Sequence, residues 1–120
     1  MRKVLIVEDD KVLSLLLTKM MEKLNMQVIA TVTEGGKAIS MAKEHNPDLI
    51  LMDIMLEDDI DGIDAMIAIQ GAGIKSPAIF ITGNSDSYNR ERAEAVDYVD
   101  YLVKPISFTI LKDSISKIED

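Results

Sequence analysis

An α/β fold, with one parallel sheet covered by helices on both faces, is predicted from three observations. Five short apolar runs alternate with five stretches whose apolar residues recur at three- and four-residue spacing. The runs themselves do not alternate between polar and apolar, which marks strands buried on both faces. The connections are short, and a repeated strand–helix order with short joints makes successive strands parallel.

Taken in order, Val4-Leu5-Ile6-Val7 is the first strand, and it stops at Glu8-Asp9-Asp10. Lys11 to Leu24 is a helix with Leu13, Leu16, Leu17, Met20 and Leu24 as its inward stripe, and Asp9 or Asp10 caps its first turn. Gln27 to Val32 is the second strand, and Glu34 to His45 is the second helix, with Ala38, Ile39 and Ala42 inward. After the turn Asn46-Pro47-Asp48, the third strand Leu49-Ile50-Leu51-Met52 ends at Asp53. The acidic loop Glu57-Asp58-Asp59-Ile60-Asp61-Gly62 leads into a helix from Ile63 to Gln70, whose apolar residues are Ile63, Met66, Ile67 and Ile69. Gly71-Ala72-Gly73 closes it. Ala78-Ile79-Phe80-Ile81 is the fourth strand and runs into Thr82-Gly83-Asn84-Ser85. Tyr88 to Val96 is a charged helix with only Ala93 and Val96 as core candidates. Tyr98 to Val103 is the fifth strand, ending at Lys104-Pro105. Ser107 to Ile118 is the last helix, with Ile110, Leu111, Ile115 and Ile118 on its buried side. No repeat or linker interrupts the pattern, so residues 1–120 read as a single domain.

Composition narrows the function classes. Against 21 Asp and Glu stand 13 Lys and Arg, a net charge of −8, and such a surface repels nucleic-acid backbones and anionic lipid. Direct nucleic-acid binding and membrane-surface binding are therefore not expected. A 48% hydrophobic content supports a packed core and argues against disorder. Without cysteine there is no disulfide framework, zinc–thiolate site or thiol nucleophile. No leader-like segment and no run near the ~20 apolar residues of a membrane span is present, so the expected setting is cytoplasmic.

In an open α/β sheet, ligands bind beyond the carboxyl ends of the strands, at the point where the strand order reverses. Here those ends carry Glu8 and Asp9, Asp53, Thr82 and Lys104. With a strand order of 2-1-3-4-5, the first and third strands are neighbours, and three carboxylates, a hydroxyl and an ammonium converge. Two unit charges about 4 Å apart repel by about 4 kcal/mol at an effective dielectric near 20. A proton or a cation must therefore sit among the acids. An all-oxygen site suits Mg2+, with Mn2+ as the alternative; Asp9 and Asp53 are candidate direct ligands, and Glu8 acts through water. The lysine and hydroxyl suit a phosphoryl group, and Gly83 leaves open space beside it. Asp53, central and following the most buried strand, is the candidate nucleophile for an acyl phosphate.

Together, Val7-Glu8-Asp9-Asp10, Leu51-Met52-Asp53, Ile81-Thr82-Gly83 and Val103-Lys104-Pro105 resemble the receiver domain of two-component response regulators over essentially the whole chain. The resemblance implies a flavodoxin-like (βα)5 fold, strand order 2-1-3-4-5. It implies that Asp53 accepts a phosphoryl group from a phosphohistidine of a sensor histidine kinase. It makes Glu8 and Asp9 the acidic pair holding Mg2+, with the Met55 backbone carbonyl as a further ligand. Thr82 and Lys104 become the phosphoryl contacts, and Thr82 with Tyr101 the switch pair, although Tyr98 lies near enough to take a similar part. The Lys104–Pro105 bond is expected to be cis. The output partner is a downstream protein or a tethered effector domain, and a homodimer formed on phosphorylation is compatible with the pattern.

Two departures stand out. Glu57 occupies the place of the family's usual loop proline, and Asp61-Gly62 arrives one residue late, so the loop is longer, more acidic, and expected to be solvated. Met55 supplies no side-chain group to guide a hydrolytic water, a role left to Asn84, so self-dephosphorylation is expected to be slow to moderate. Two other functions fit the residues less well. A Mg-dependent aspartyl-phosphate phosphohydrolase needs a second Asp where Met55 stands. A flavin mononucleotide carrier needs a Ser/Thr/Gly phosphate loop after the first strand, where this chain has three acids.

Overall fold

The structure is a computed structural model that describes residues 2–84 and 86–118; Ser85 of the turn after the fourth strand, with Met1, Glu119 and Asp120, lies outside them. Ten elements alternate strictly: β1 Lys3–Val7, α1 Lys11–Lys23, β2 Gln27–Val32, α2 Gly35–His45, β3 Leu49–Asp53, α3 Gly62–Gly71, β4 Ala78–Thr82, α4 Ser87–Ala93, β5 Tyr98–Val103 and α5 Phe108–Ser116. The strands form one sheet in the order β2-β1-β3-β4-β5, and every pairing is parallel. The predicted α/β class, flavodoxin-like topology and strand order are all observed.

Side chains alternate across the sheet and build two cores. Leu5, Val7, Ile50, Met52, Ala78 and Phe80 face α2, α3 and α4, meeting Ala38, Ala42, Ile63, Met66, Ile69 and Ala93. Val4, Ile6, Leu49, Leu51, Ile79 and Ile81 face α1 and α5, meeting Leu17, Met21, Leu111 and Ile115. Both faces of β1, β3 and β4 are covered, which is why those runs are apolar throughout.

Local chemistry sets the helix ends. Asp10 caps α1, its carboxylate accepting from the N–H groups of Val12 and Leu13 at 3.0 and 3.2 Å. Asn25 and Asn46, both at positive φ, turn the chain out of α1 and α2. Asp61, Asp86 and Ser107 cap α3, α4 and α5.

Helix faces differ from expectation in places. Leu16 and Ile110 are exposed, whereas Met21 is fully buried. Val12, Leu13, Leu15, Leu16, Leu17, Met20 and Met21 spread over more than half the circumference of α1, so spacing alone selects no single face; contact with the sheet selects Leu17 and Met21. The fourth helix is also shorter than the expected Tyr88 to Val96. Beyond Ala93 the N–H groups of Glu94, Ala95 and Val96 bond three residues back, a tightened turn. Among the described residues, no helix is long and apolar enough to cross a membrane.

Candidate functional site

The site lies at the carboxyl ends of β1 and β3, neighbouring strands whose crossovers leave in opposite directions. Val7 and Met52 are buried in register, so Glu8, Asp9 and Asp53 leave the sheet side by side. Their carboxylate oxygens lie within 4.8 Å of one another. Glu8 is 1% exposed and Asp53 4%, while Asp9 faces solvent.

Lys104, just past β5, reaches across the top of β4 to this cluster. Its Nζ lies 3.2 Å from Asp53 Oδ2 and 3.1 Å from Glu8 Oε1. The Lys104–Pro105 peptide bond is cis. Sequence reasoning placed Lys104 beside Asp53 but did not see its second contact, with Glu8.

The charges are unevenly held. Burial, then hydrogen bonding with Asp53, pushes the Glu8 carboxyl up to about 8. Burial also raises Asp53, although the Glu8 hydrogen bond and the Lys104 charge oppose it. Burial alone would raise Asp9, but hydrogen bonds with Glu8 and Asp53 and the Lys104 charge hold it below the usual range. Burial would lower Lys104, yet the neighbouring acids raise it. At neutral pH a proton on Glu8 therefore relieves the crowding. A hard divalent cation would relieve it as well. The donor set is all oxygen, and Glu8 Oε1, although close to Lys104, has no hydrogen-bond partner of good geometry among the described residues. These residues fit such an ion.

The remaining candidates surround this centre. Thr82 ends β4 and is buried, its Oγ1 accepting from the Asn84 N–H at 3.3 Å. Gly83 is exposed, and a Cβ there would meet nothing within 4 Å. Met55, in the loop after β3, has a side chain 70% exposed. Tyr101 is buried on β5, tilted against Phe80 and covered by the Arg90 guanidinium 4.4 Å above its ring. Its hydroxyl has no hydrogen-bond partner among the described residues.

The acidic loop is not simply solvated, contrary to expectation. Asp58 accepts from the N–H groups of Gly35 and Gly36 at 2.8 and 2.9 Å, capping α2 from 22 or 23 residues away. A Cβ on Gly35 would fall 2.5 Å from the Ile60 carbonyl oxygen, so glycine there lets the loop seat on α2. Asp61 caps α3 and pairs with Arg92 at 2.7 Å. Glycine is needed again next door: a Gly62 Cβ would fall 2.0 Å from the Asp53 carbonyl oxygen. These contacts join residues distant in sequence, and the Asp58 and Asp61 roles carry no local signal beyond the acid preceding a helix.

Fold and pocket define a doubly wound α/β domain with an acid–lysine centre at its switch point. The profile of the response regulator receiver domain matches residues 4–116. The transcriptional regulatory protein PdtaR of Mycobacterium tuberculosis is 34% identical over 110 residues, 92% of this chain and 53% of that protein. The signal receiver domain of a modulated diguanylate cyclase from Desulfovibrio desulfuricans G20 is 34% identical with a TM-score of 0.87, covering 97% of this chain and 91% of that one. The receiver domain of the sensor histidine kinase PA1611 from Pseudomonas aeruginosa PAO1, solved with a magnesium ion in its active-site cleft, is 30% identical with a TM-score of 0.84, covering 97% and 95%. The chain belongs to the response-regulator receiver family of two-component signal transduction. It spans about half the length of the curated relatives it matches.

Proposed function

We propose that residues 1–120 form one receiver domain in which Asp53 takes a phosphoryl group from the phosphohistidine of a sensor histidine kinase. The observation that carries this reading is the buried Asp53 carboxylate, set between Lys104 at 3.2 Å and the Glu8–Asp9 pair. An Asp53 carboxylate oxygen attacks phosphorus, a P–O bond forms, and the P–N bond breaks with its electron pair returning to the imidazole. Lys104 orients the carboxylate beforehand and then meets the charge on the phosphoryl oxygens. Thr82 supplies a hydroxyl to the same oxygens, and Gly83 keeps the space beside them free. Glu8, Asp9, Asp53 and the Met55 carbonyl would hold Mg2+, which would supply positive charge to offset that of the phosphoryl group; the PA1611 receiver holds a magnesium ion in its own cleft.

The event is a single-site transfer, not turnover. Thr82 moving toward the phosphoryl group, with Tyr101 following, would change the surface of α4, β5 and α5 for a downstream protein, a tethered effector or a second copy of this chain. A cytoplasmic setting goes with that role. The test is intact mass after incubation with Mg2+ and acetyl phosphate, on the native protein and on Asp53→Asn. Gain of one base-labile phosphoryl group by the native protein alone, abolished by EDTA, is expected. No gain by a folded native protein, or equal gain by Asp53→Asn, overturns the reading.

A further inference from the structure

We propose that Arg92 is a positioning residue that latches α4 to the Asp53 side of the site, the last link of a polar chain joining the loop after Thr82 to the loop after Asp53. The geometry stands alone; its consequence for switching rests on the phosphoacceptor reading above.

The chain starts at Asp86, four residues beyond Thr82. Its carboxylate accepts from the Asn89 backbone N–H at 2.7 Å and from Asn89 Nδ2 at 3.3 Å. Asn89 Oδ1 in turn accepts from Arg92 Nη1 at 2.9 Å. Arg92 then grips Asp61 with both arms of its fork, Nη1 to Oδ2 at 2.7 Å and Nη2 to Oδ1 at 3.1 Å, and Nη2 reaches Asp64 Oδ1 at 3.1 Å. Asp61 caps α3, and the next residue is Gly62, which lies against the Asp53 carbonyl. One end of the chain therefore follows Thr82, and the other abuts the backbone of Asp53.

Among the described residues, the other anchor of α4 is the Arg90 guanidinium over the Tyr101 ring. The helix has seven residues and only Ala93 is buried within it. The Arg92–Asp61 pair is about three-quarters shielded on both sides, at 24% and 28% exposure, and is bidentate, so it exceeds an ordinary surface pair in strength. Lysine could restore the charge but not the fork. A rearrangement of α4 on phosphorylation of Asp53 would displace Asp86 and work against this chain. Arg92 thus stabilises the unphosphorylated placement of α4, and removing it lowers the cost of rearrangement.

The test combines hydrogen exchange with phosphorylation kinetics on native protein, Arg92→Gln, Arg92→Lys and Asp61→Asn; asparagine caps a helix as well as aspartate does, so the last variant removes the charge and keeps the cap. In Arg92→Gln and Asp61→Asn, amide exchange should rise about tenfold both in α4 and in residues 57–62, with Arg92→Lys between these and native. Phosphorylation by acetyl phosphate should become about fivefold faster, and the double variant should add nothing further. A merely structural role would lower thermal stability without speeding phosphorylation. Faster exchange confined to α4 overturns the coupling. An unchanged or slower phosphorylation rate in Arg92→Gln, with native protein phosphorylated normally, overturns the latch alone. No phosphorylation of native protein overturns the phosphoacceptor reading and the switching consequence together, and the exchange data still decide the coupling.

Discussion

Gly62→Ala should be among the most damaging single-methyl additions available in this fold. The added carbon would sit 2.0 Å from the Asp53 carbonyl oxygen and 2.7 Å from Met52 Cγ. Carbon and oxygen in even a close contact stand about 3.3 Å apart, so α3 must withdraw by more than about 1 Å. That withdrawal breaks the 2.8 Å bond from the Gly62 N–H to the Ile54 carbonyl, worth about 1 kcal/mol. Overpacking adds about 1–3 kcal/mol, and the gain in helix propensity returns at most about 1 kcal/mol. The net loss is about 1–4 kcal/mol, centred on about 2.5 kcal/mol. Gly71 supplies the control, at the other end of the same helix. A Cβ there meets nothing within 4 Å, so Gly71→Ala should be neutral or stabilising by up to about 1 kcal/mol. The assay is urea unfolding followed by far-ultraviolet circular dichroism, since the chain has no tryptophan. At about 4 °C per kcal/mol for this size, Gly62→Ala should lower Tm by about 10 °C. A loss below about 1 kcal/mol in Gly62→Ala, or an equal loss in Gly71→Ala, would refute the close-approach argument.

Three further outcomes follow from the site and its supports. The Glu8 carboxyl is raised in the folded state, from 4.5 to about 8, so its contribution to stability is fully present below pH 4.5 and is lost as pH rises through about 8. In EDTA the urea midpoint should fall across that window, and Glu8→Gln or added Mg2+ should flatten the fall; a flat native profile in EDTA refutes the shift. Asp58→Ala removes the cap from α2 and should cost about 1 kcal/mol in urea unfolding without changing the extent of Asp53 phosphorylation; loss of phosphorylation would mean the loop also shapes the pocket. Tyr101→Phe removes a buried hydroxyl that has no partner among the described residues, so it should be neutral or stabilising by about 1 kcal/mol; a loss beyond about 1 kcal/mol would show that the hydroxyl is satisfied in solution.

β1, β3 and β4 were legible because each is a continuous apolar run stopped by a charged or hydroxyl residue, while β2 and β5, the edge strands, carry Thr31 and Asp100 within them. Gln27–Val32 and Tyr98–Val103 have the bounds expected from sequence, and the other three differ by a single residue at one end or the other. Helix faces were less legible. Leu16 and Met21 exchange places relative to expectation because α1 is apolar on most of its circumference, and only the sheet decides which side turns in. The strand-end residues Glu8, Asp9, Asp53 and Lys104 do come together, since topology alone brings the ends of β1, β3 and β5 to one edge. The loop partners were not legible. Asp58 acts on α2 and Asp61 on Arg92, across 22 to 31 positions, and neither pairing leaves a periodic trace.

The two halves of the site differ in stiffness, and the difference suits a receiver. Val7 and Met52, the residues before Glu8 and Asp53, are at most 1% exposed and locked in parallel register. The buried Glu8 and Asp53 carboxylates are therefore held close together, and a proton, Lys104 or a divalent cation offsets their repulsion. That keeps the acids poised for charge compensation from outside the chain. α4 is the opposite case: a short helix with one buried residue, held by cationic side chains on Tyr101 and Asp61. Polar contacts at partly exposed side chains can be remade with new partners or with water after a shift, whereas a packed apolar face cannot move without opening a cavity. A change of charge at Asp53 then has one rigid wall to act against and one soft element to move, and the soft element is the one that follows Thr82 in the chain.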